Sequence, residues 1–194
     1  MKTITYLTTN QYKFKEAQLI FEDKYGLDIE IKNPDFEIYE IQAETCGEVA
    51  AFSAKYAADQ LGVPCLKSDT GLYIDALGGL PGPYNHYFDV QIGAERFLEL
   101  FKNETNRRAR IEHCFAYCEP GGEPKVFKGE CFGTIAMEKR GEYGRWHDFF
   151  FIPDGETRTL AEIGDEDPAK KIVFGAGGGE ACAKWIAEQQ KNEV

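Results

Sequence analysis

The opening of the chain limits its fold most. Thr3-Ile4-Thr5-Tyr6-Leu7-Thr8 is rich in β-branched residues and stops at Thr9-Asn10, a turn or N-cap pair. From Gln11 to about Tyr25, apolar Phe14, Ala17, Leu19, Ile20 and Phe21 recur near helical spacing among Lys and Glu, and Gly26 supplies a stop. The pattern predicts a buried strand, a polar turn and a helix in direct succession. That arrangement aims the helix start, with its backbone N–H groups, past the end of the strand.

Further along, Asp28-Ile29-Glu30-Ile31 reads as extended, and a loop around Asn33-Pro34-Asp35 leads to the acidic stretch Glu40-Ile41-Gln42-Ala43-Glu44. A second helix is expected over residues 46–61, closed by Gly62-Val63-Pro64. Cys65 to Ser68 reads as a short strand running into Asp69-Thr70-Gly71, followed by Leu72-Tyr73-Ile74 and the loop Gly78-Gly79-Leu80-Pro81-Gly82-Pro83. A third helix is expected over residues 91–101, strands over 109–118, 125–138 and 149–152, and a last helix over 180–190. Gly121-Gly122 is placed as the hairpin turn between the first two of those strands. Strands and helices mix without regular alternation or internal repeat, which predicts an α/β (mixed α+β) fold around a mixed sheet. At 194 residues, 43% of them hydrophobic, the chain fits a single domain over 1–194 or two small lobes sharing a core.

Charge narrows the partners. A formal net charge of -11 repels the phosphate backbone of long nucleic acids, so DNA binding is excluded as an expectation. One small polyphosphate is still compatible, because a few lysines, helix N-termini and a divalent metal reverse the field locally. The N-terminal residues lack the apolar run of a secretory signal, and no stretch approaches the roughly 18 apolar residues of a membrane span. The expectation is a cytoplasmic protein whose six cysteines are reduced and mostly buried. His113-Cys114-x3-Cys118 has a spacing that metals use, but it falls in an expected strand.

Several residue groups suggest chemistry. Thr8-Thr9-Asn10-Gln11-Tyr12-Lys13 offers an anion the start of a helix with Lys13 as a point charge; the plainer alternative is an ordinary N-cap with a solvated lysine. Glu40 and Asp69 are the candidate ligands of a hard metal, since Mg2+ takes oxygen donors and is held by one or two carboxylates plus substrate phosphates. Lys55 stands in an alanine-rich helix, either solvated or touching a ligand. Gly175-Ala176-Gly177-Gly178-Gly179 reads as a phosphate cradle or a flexible connection before the last helix. His147 beside Asp148 suggests a base or ligand pair, with Trp146 and Phe149-Phe150-Phe151 arguing equally for packed aromatics. Ser and Cys lack an identifiable base partner, which leaves covalent catalysis without support.

The order of these motifs resembles the inosine triphosphate pyrophosphatase family, whose members remove non-canonical purine nucleoside triphosphates. The resemblance is carried by Thr8-Thr9-Asn10-x-x-Lys13, Glu40-Ile41-Gln42-Ala43-Glu44-Thr45, Ala54-Lys55, Ser68-Asp69-Thr70-Gly71-Leu72, and Asp75 through Tyr84. Phe151-Ile152-Pro153-Asp154-Gly155 and Thr159-Leu160-Ala161-Glu162 extend it over nearly the whole chain. It implies an elongated central mixed sheet with two lobes flanking a nucleotide cleft, usually as a homodimer. It also implies attack of water at the α-phosphate with Mg2+, or Mn2+, present. By position, Thr8, Thr9, Asn10, Lys13 and Lys55 would bind the triphosphate. Glu40 would hold metal, and Asp69 would bind metal or activate the water. Thr70, Trp146, His147, Asp148, Phe149 and Lys170 would complete the substrate contacts.

The departures fall at the base-reading end. Arg145-Trp146-His147-Asp148-Phe149 keeps only the Asp and an aromatic neighbour of the family's Phe-Gly-Trp/Tyr-Asp-Pro. Phe174-Gly175-Ala176 stands where the family has Ser-His-Arg against the purine 6-oxo group. A pyrophosphatase with altered base preference follows; the alternative is a catalytically weak nucleotide-binding or regulatory protein on the same fold.

Overall fold

A computed structural model describes residues 3–32, 36, 38–39 and 41–192. Glu40 and the Asn33-Pro34-Asp35 loop lie outside the described residues. Seven strands and seven α-helices occur among them, and the fold is the expected mixed α/β. The strands hydrogen-bond in the order β2-β1-β3-β5-β6-β7, with β4 added to β3: β1 is Ile4–Leu7, β2 Ile29–Lys32, β3 Cys65–Ile74, β4 Pro81–Gly82, β5 Arg108–Cys118, β6 Lys125–Ile135 and β7 Phe151–Pro153. The chain forms two compact units. One comprises residues 1–69, 113–129 and 176–194, and the other residues 70–112 and 130–175.

In the first unit β1 is buried end to end and pairs in parallel with both β2 and β3. Helix α1, Gln11–Ala17, follows it as expected, but the same helical run continues in π form over Gln18–Lys24 before Gly26, at φ 63, ends it. Helix α2, Cys46–Leu61, has the bounds the sequence predicts, and the reason is local. Thr45 accepts from the Glu48 amide at 3.2 Å while the Glu48 carboxylate accepts from the Thr45 amide at 2.9 Å. Gly62 at φ 66 closes the other end. Ala50, Ala54, Ala57 and Ala58 give this helix a buried face of small side chains.

The last helix of this unit, α7, is Gly177–Asn192 and begins earlier than expected. Gly178 explains why. A methyl carbon added there would lie 2.9 Å from Gly129 N and 3.0 Å from Phe127 O, and closer still to the His113 carbonyl. Only glycine lets this first turn pack directly on the backbones of β5 and β6. Gly177 to Gly179 are therefore part of a packed helix start rather than a flexible connection, and close packing accounts for the glycine at 178.

The second unit is built on an aromatic core. Phe97 lies 5.5 Å from Trp146, 5.1 Å from Phe150 and 5.3 Å from Phe101 between ring centroids, beside Leu72, Ile74, Ile111 and Phe151. The single helix expected over 91–101 is two: α3, Asn85–Gln91, and α4, Gly93–Leu100, separated where Gly93 takes φ 73. The strand expected over 149–152 starts later. Trp146–Phe149 forms a 3-10 turn instead, tightened by the Arg145 amide donating to Asp148 Oδ2 at 2.6 Å. Helices α5, Leu160–Glu166, and α6, Pro168–Val173, complete the unit, each with a side-chain cap, Thr159 and Asp167.

Candidate functional site

In the first unit, hydrogen bonds tie β1 and Lys13 to the β3 segment that carries Asp69. The Thr8 hydroxyl accepts from the Asn10 amide at 3.1 Å, and Asn10 Oδ1 accepts from the amides of Tyr12 and Lys13 at 2.9 and 3.3 Å. Asn10 is thus a true N-cap of α1, while Thr9 is exposed. Lys13 is not a solvated lysine. Its ammonium donates to the Ser68 carbonyl at 2.8 Å, directly before Asp69. The Tyr6 hydroxyl and Ser68 Oγ, 2.6 Å apart, pin the same stretch from β1.

Asp69 does not follow a strand, as the sequence suggests, but lies within one. Thr70, β-branched and buried, and Gly71 continue the pairing through Ile74, so the carboxylate projects from a ten-residue strand rather than from a turn. Thr70 itself belongs to the second unit, where its carbonyl accepts from buried Asn85 Nδ2 at 3.1 Å. The donor that Asp69 itself offers is a carboxylate oxygen. Such a donor fits a hard divalent cation and not a thiophilic one. Lys55 is engaged elsewhere in the first unit: its ammonium donates to the Gly122 carbonyl in the β5–β6 hairpin at 2.6 Å and lies 3.8 Å from both Asp59 and Glu123.

All six cysteines are free thiols and five are buried. His113 and Cys114 are neighbours on β5 and so point to opposite faces, with His113 Nδ1 3.6 Å from buried Glu16. The metal-like spacing of His113, Cys114 and Cys118 therefore does not converge.

The second unit holds the residues expected near the base. Trp146, His147 and Asp148 are buried, Phe149 partly so. Burial pushes the His147 imidazole down to about 3, so it is neutral near pH 7, and neither ring nitrogen has a hydrogen-bond partner among the described residues. Burial opposes the Asp148 carboxylate, yet its pKa is held below the ordinary value by its charged neighbours and the Arg145 amide. With His147 neutral, the decisive neighbour is Lys171, whose ammonium lies 2.6 Å from Asp148 Oδ2. The sequence reading names no partner for Asp148, and helix phase is what turns Lys171 toward it. Lys170, the expected substrate contact, sits at the surface against Glu166 at 2.7 Å. Phe174 packs against the aromatic core of the unit, and so cannot stand in for a polar base contact. Trp146 and Phe149 line a cavity of about 570 Å³ with Ile92, Ala94, Arg96 and Lys139.

Comparison with known proteins agrees with the resemblance read from the motifs. The model of the Ham1 family matches residues 4–171. A dITP/XTP pyrophosphatase of Methanopyrus kandleri is 44% identical over 167 residues, 86% of this chain and 87% of the relative. One of Thermococcus kodakarensis is 36% identical over 97% of this chain and 99% of its own length. Among solved structures, the Ham1 protein of Staphylococcus aureus superposes with a TM-score of 0.77 at 25% identity, covering 97% of this chain and all of that one. A HAM1 protein of Coxiella burnetii gives a TM-score of 0.77 at 27% identity over 99% of this chain and 100% of its own. With the motifs, the fold and the span of these matches in agreement, the chain belongs to the Ham1 family.

Proposed function

We propose that this chain, a nucleoside triphosphate pyrophosphatase, hydrolyses non-canonical purine nucleoside triphosphates to the monophosphate and pyrophosphate with Mg2+ or Mn2+. The observation that carries this reading is the Lys13 ammonium fixed 2.8 Å from the Ser68 carbonyl, which ties a cation at the start of α1 to the β3 segment that carries Asp69. Breaking the bond between the α- and β-phosphates leaves charge on the departing pyrophosphate. Lys13 offsets that charge, while Thr8, Thr9 and Asn10 orient the phosphate oxygens. Asp69, held by the pairing of β3, either orients and deprotonates the attacking water or supplies the oxygen ligand for metal. A bound divalent cation adds charge neutralisation on the phosphate oxygens. Glu40 is the proposed second metal ligand. Lys55 takes a secondary place along the phosphates, because the hairpin carbonyl already engages it.

Base contacts are proposed for Trp146 and Phe149, by stacking, and for His147, Asp148, Lys170 and Thr70. Stacking tolerates any base, and no imidazole or guanidinium occupies residues 174–176. Selectivity for dITP and XTP over ATP and GTP is therefore expected below the roughly 10⁴-fold that a hydrogen-bonding site reaches. The exposed Leu80, Tyr87 and Val90 of the second unit are consistent with a homodimer, which sedimentation would detect. The deciding experiment is pyrophosphate release from dITP, XTP, ATP and GTP, with Mg2+ and with excess chelator. Metal-dependent release supports the reading. Release unaffected by chelator removes the metal from it, and no release from any of the four favours a binding protein.

A further inference from the structure

Lys67 has no role in the reading above, and its position is unusual. It stands two residues before Asp69 on β3, and alternate residues of a strand share a face. The Lys67 side chain therefore leaves the strand on the side of the Asp69 carboxylate. On the neighbouring parallel strand, Thr5 is opposite Cys65 and Tyr6 opposite Leu66, which carries Leu7 alongside Lys67. The Lys67 ammonium donates to the Leu7 carbonyl at 3.1 Å. Leu7 is the last residue of β1, so this charge is fixed where the Thr8-Thr9-Asn10 turn leaves the sheet.

Lys13 reaches the same stretch of β3 from α1, at the Ser68 carbonyl. Two ammonium groups thus lie along the β1–β3 seam, Lys67 at the Leu7 carbonyl and Lys13 at the Ser68 carbonyl, in a chain whose net charge is -11. A purely structural tie explains this poorly. β1 and β3 are already joined by backbone pairing, including the Thr5 amide donating to the Pro64 carbonyl at 3.1 Å. A lysine beside a polar turn and a carboxylate instead concentrates positive charge where a polyanion can dock.

We propose that Lys67 is a phosphate-binding residue of this chain, holding the substrate polyphosphate beside Asp69 together with Lys13. This inference rests on the pyrophosphatase reading. The test compares wild type, Lys67→Met, which keeps the aliphatic stem, and Lys67→Arg, which keeps the charge. Each is titrated calorimetrically in Mg2+ buffer with inorganic tripolyphosphate and with inosine monophosphate, and its melting temperature and steady-state KM are measured. Lys67→Met should weaken tripolyphosphate binding and raise the triphosphate KM roughly ten- to hundredfold, the loss of one charged hydrogen bond. Monophosphate affinity should stay within about twofold, since it lacks the two outer phosphates. Lys67→Arg should bind tripolyphosphate more tightly than Lys67→Met. The proposal is overturned by unchanged tripolyphosphate affinity in Lys67→Met, by equal losses for both ligands, or by a lowered melting temperature as the only effect. Should Lys67→Met fail to fold, Lys67→Gln serves the same comparison. A wild type that binds tripolyphosphate but cleaves no nucleoside triphosphate would sink the pyrophosphatase reading while leaving the binding comparison intact.

Discussion

Adding one methyl group at Gly178 separates packing from phosphate binding as the reason for the glycine run. Two effects oppose each other in Gly178→Ala. Alanine is the better helix former by about 0.8–1.0 kcal/mol. Against this, the new carbon would sit 2.9 Å from Gly129 N and 3.0 Å from Phe127 O, and nearer still to the His113 carbonyl. All three are backbone atoms of paired strands, so none can rotate aside, and overpacking of this kind costs about 1–3 kcal/mol or more. With three such contacts the cost lies at the upper end, about 2–3 kcal/mol, so the clash outweighs the propensity gain and the net loss is about 1–2 kcal/mol. For a chain of this length that is a fall in Tm of roughly 2–8 °C. Gly177→Ala is the internal control: its added carbon would be 3.4 Å from Gly129 Cα, an ordinary contact, so the variant should melt at the wild-type temperature or slightly above. Calorimetric melts of the two variants, with tripolyphosphate titrations, decide the matter. Equal melting temperatures with a selective loss of tripolyphosphate affinity in Gly178→Ala would refute the packing argument and restore the cradle.

Three further outcomes are expected. Lys171→Ala strands the buried Asp148 carboxylate and should destabilise the protein by about 3–5 kcal/mol, whereas Lys171→Met with Asp148→Leu should recover much of the loss; urea denaturation of the single and double variants tests this, and a mild single variant would contradict it. His147 has a folded pKa pushed down to about 3 from an ordinary 6.5, so between those values the unfolded chain binds a proton that the native protein does not. Stability should fall as pH drops below 6.5, by about 2 kcal/mol at pH 5, and flatten in His147→Gln; identical pH profiles for the two proteins would assign the loss to other groups. Asp69→Asn should reduce kcat by roughly 10²-fold or more with folding intact, and a folded variant turning over normally would move the catalytic role elsewhere.

The elements that sequence anticipates well carry their own boundaries. Thr45, Glu48 and Gly62 mark both ends of α2 by local hydrogen bonding, so tertiary structure has nothing to add. β3 is misread as interrupted because Asp69-Thr70-Gly71 has turn-like composition, and only pairing with neighbouring strands shows it to be continuous. The break before α4 depends on the left-handed backbone at Gly93, which its own identity permits but does not require. At the proposed site, motif order points to Thr8 through Lys13 and Asp69, and β-alternation puts Lys67 on the face of β3 that carries Asp69 only once β3 is known to run through. That Lys171 and not Lys170 meets Asp148 is a matter of helix phase. Two adjacent lysines differ by about 100° round α6, and the sequence alone does not fix which one turns inward.

The central claim is that water attacks the α-phosphate beside Asp69 and pyrophosphate departs. Single-turnover hydrolysis of dITP in water enriched in oxygen-18, with Mg2+ and mass-spectrometric analysis of both products, tests it most directly. The account requires the label in the nucleoside monophosphate and none in the pyrophosphate. Label in the pyrophosphate, or release of orthophosphate and a nucleoside diphosphate, would contradict it.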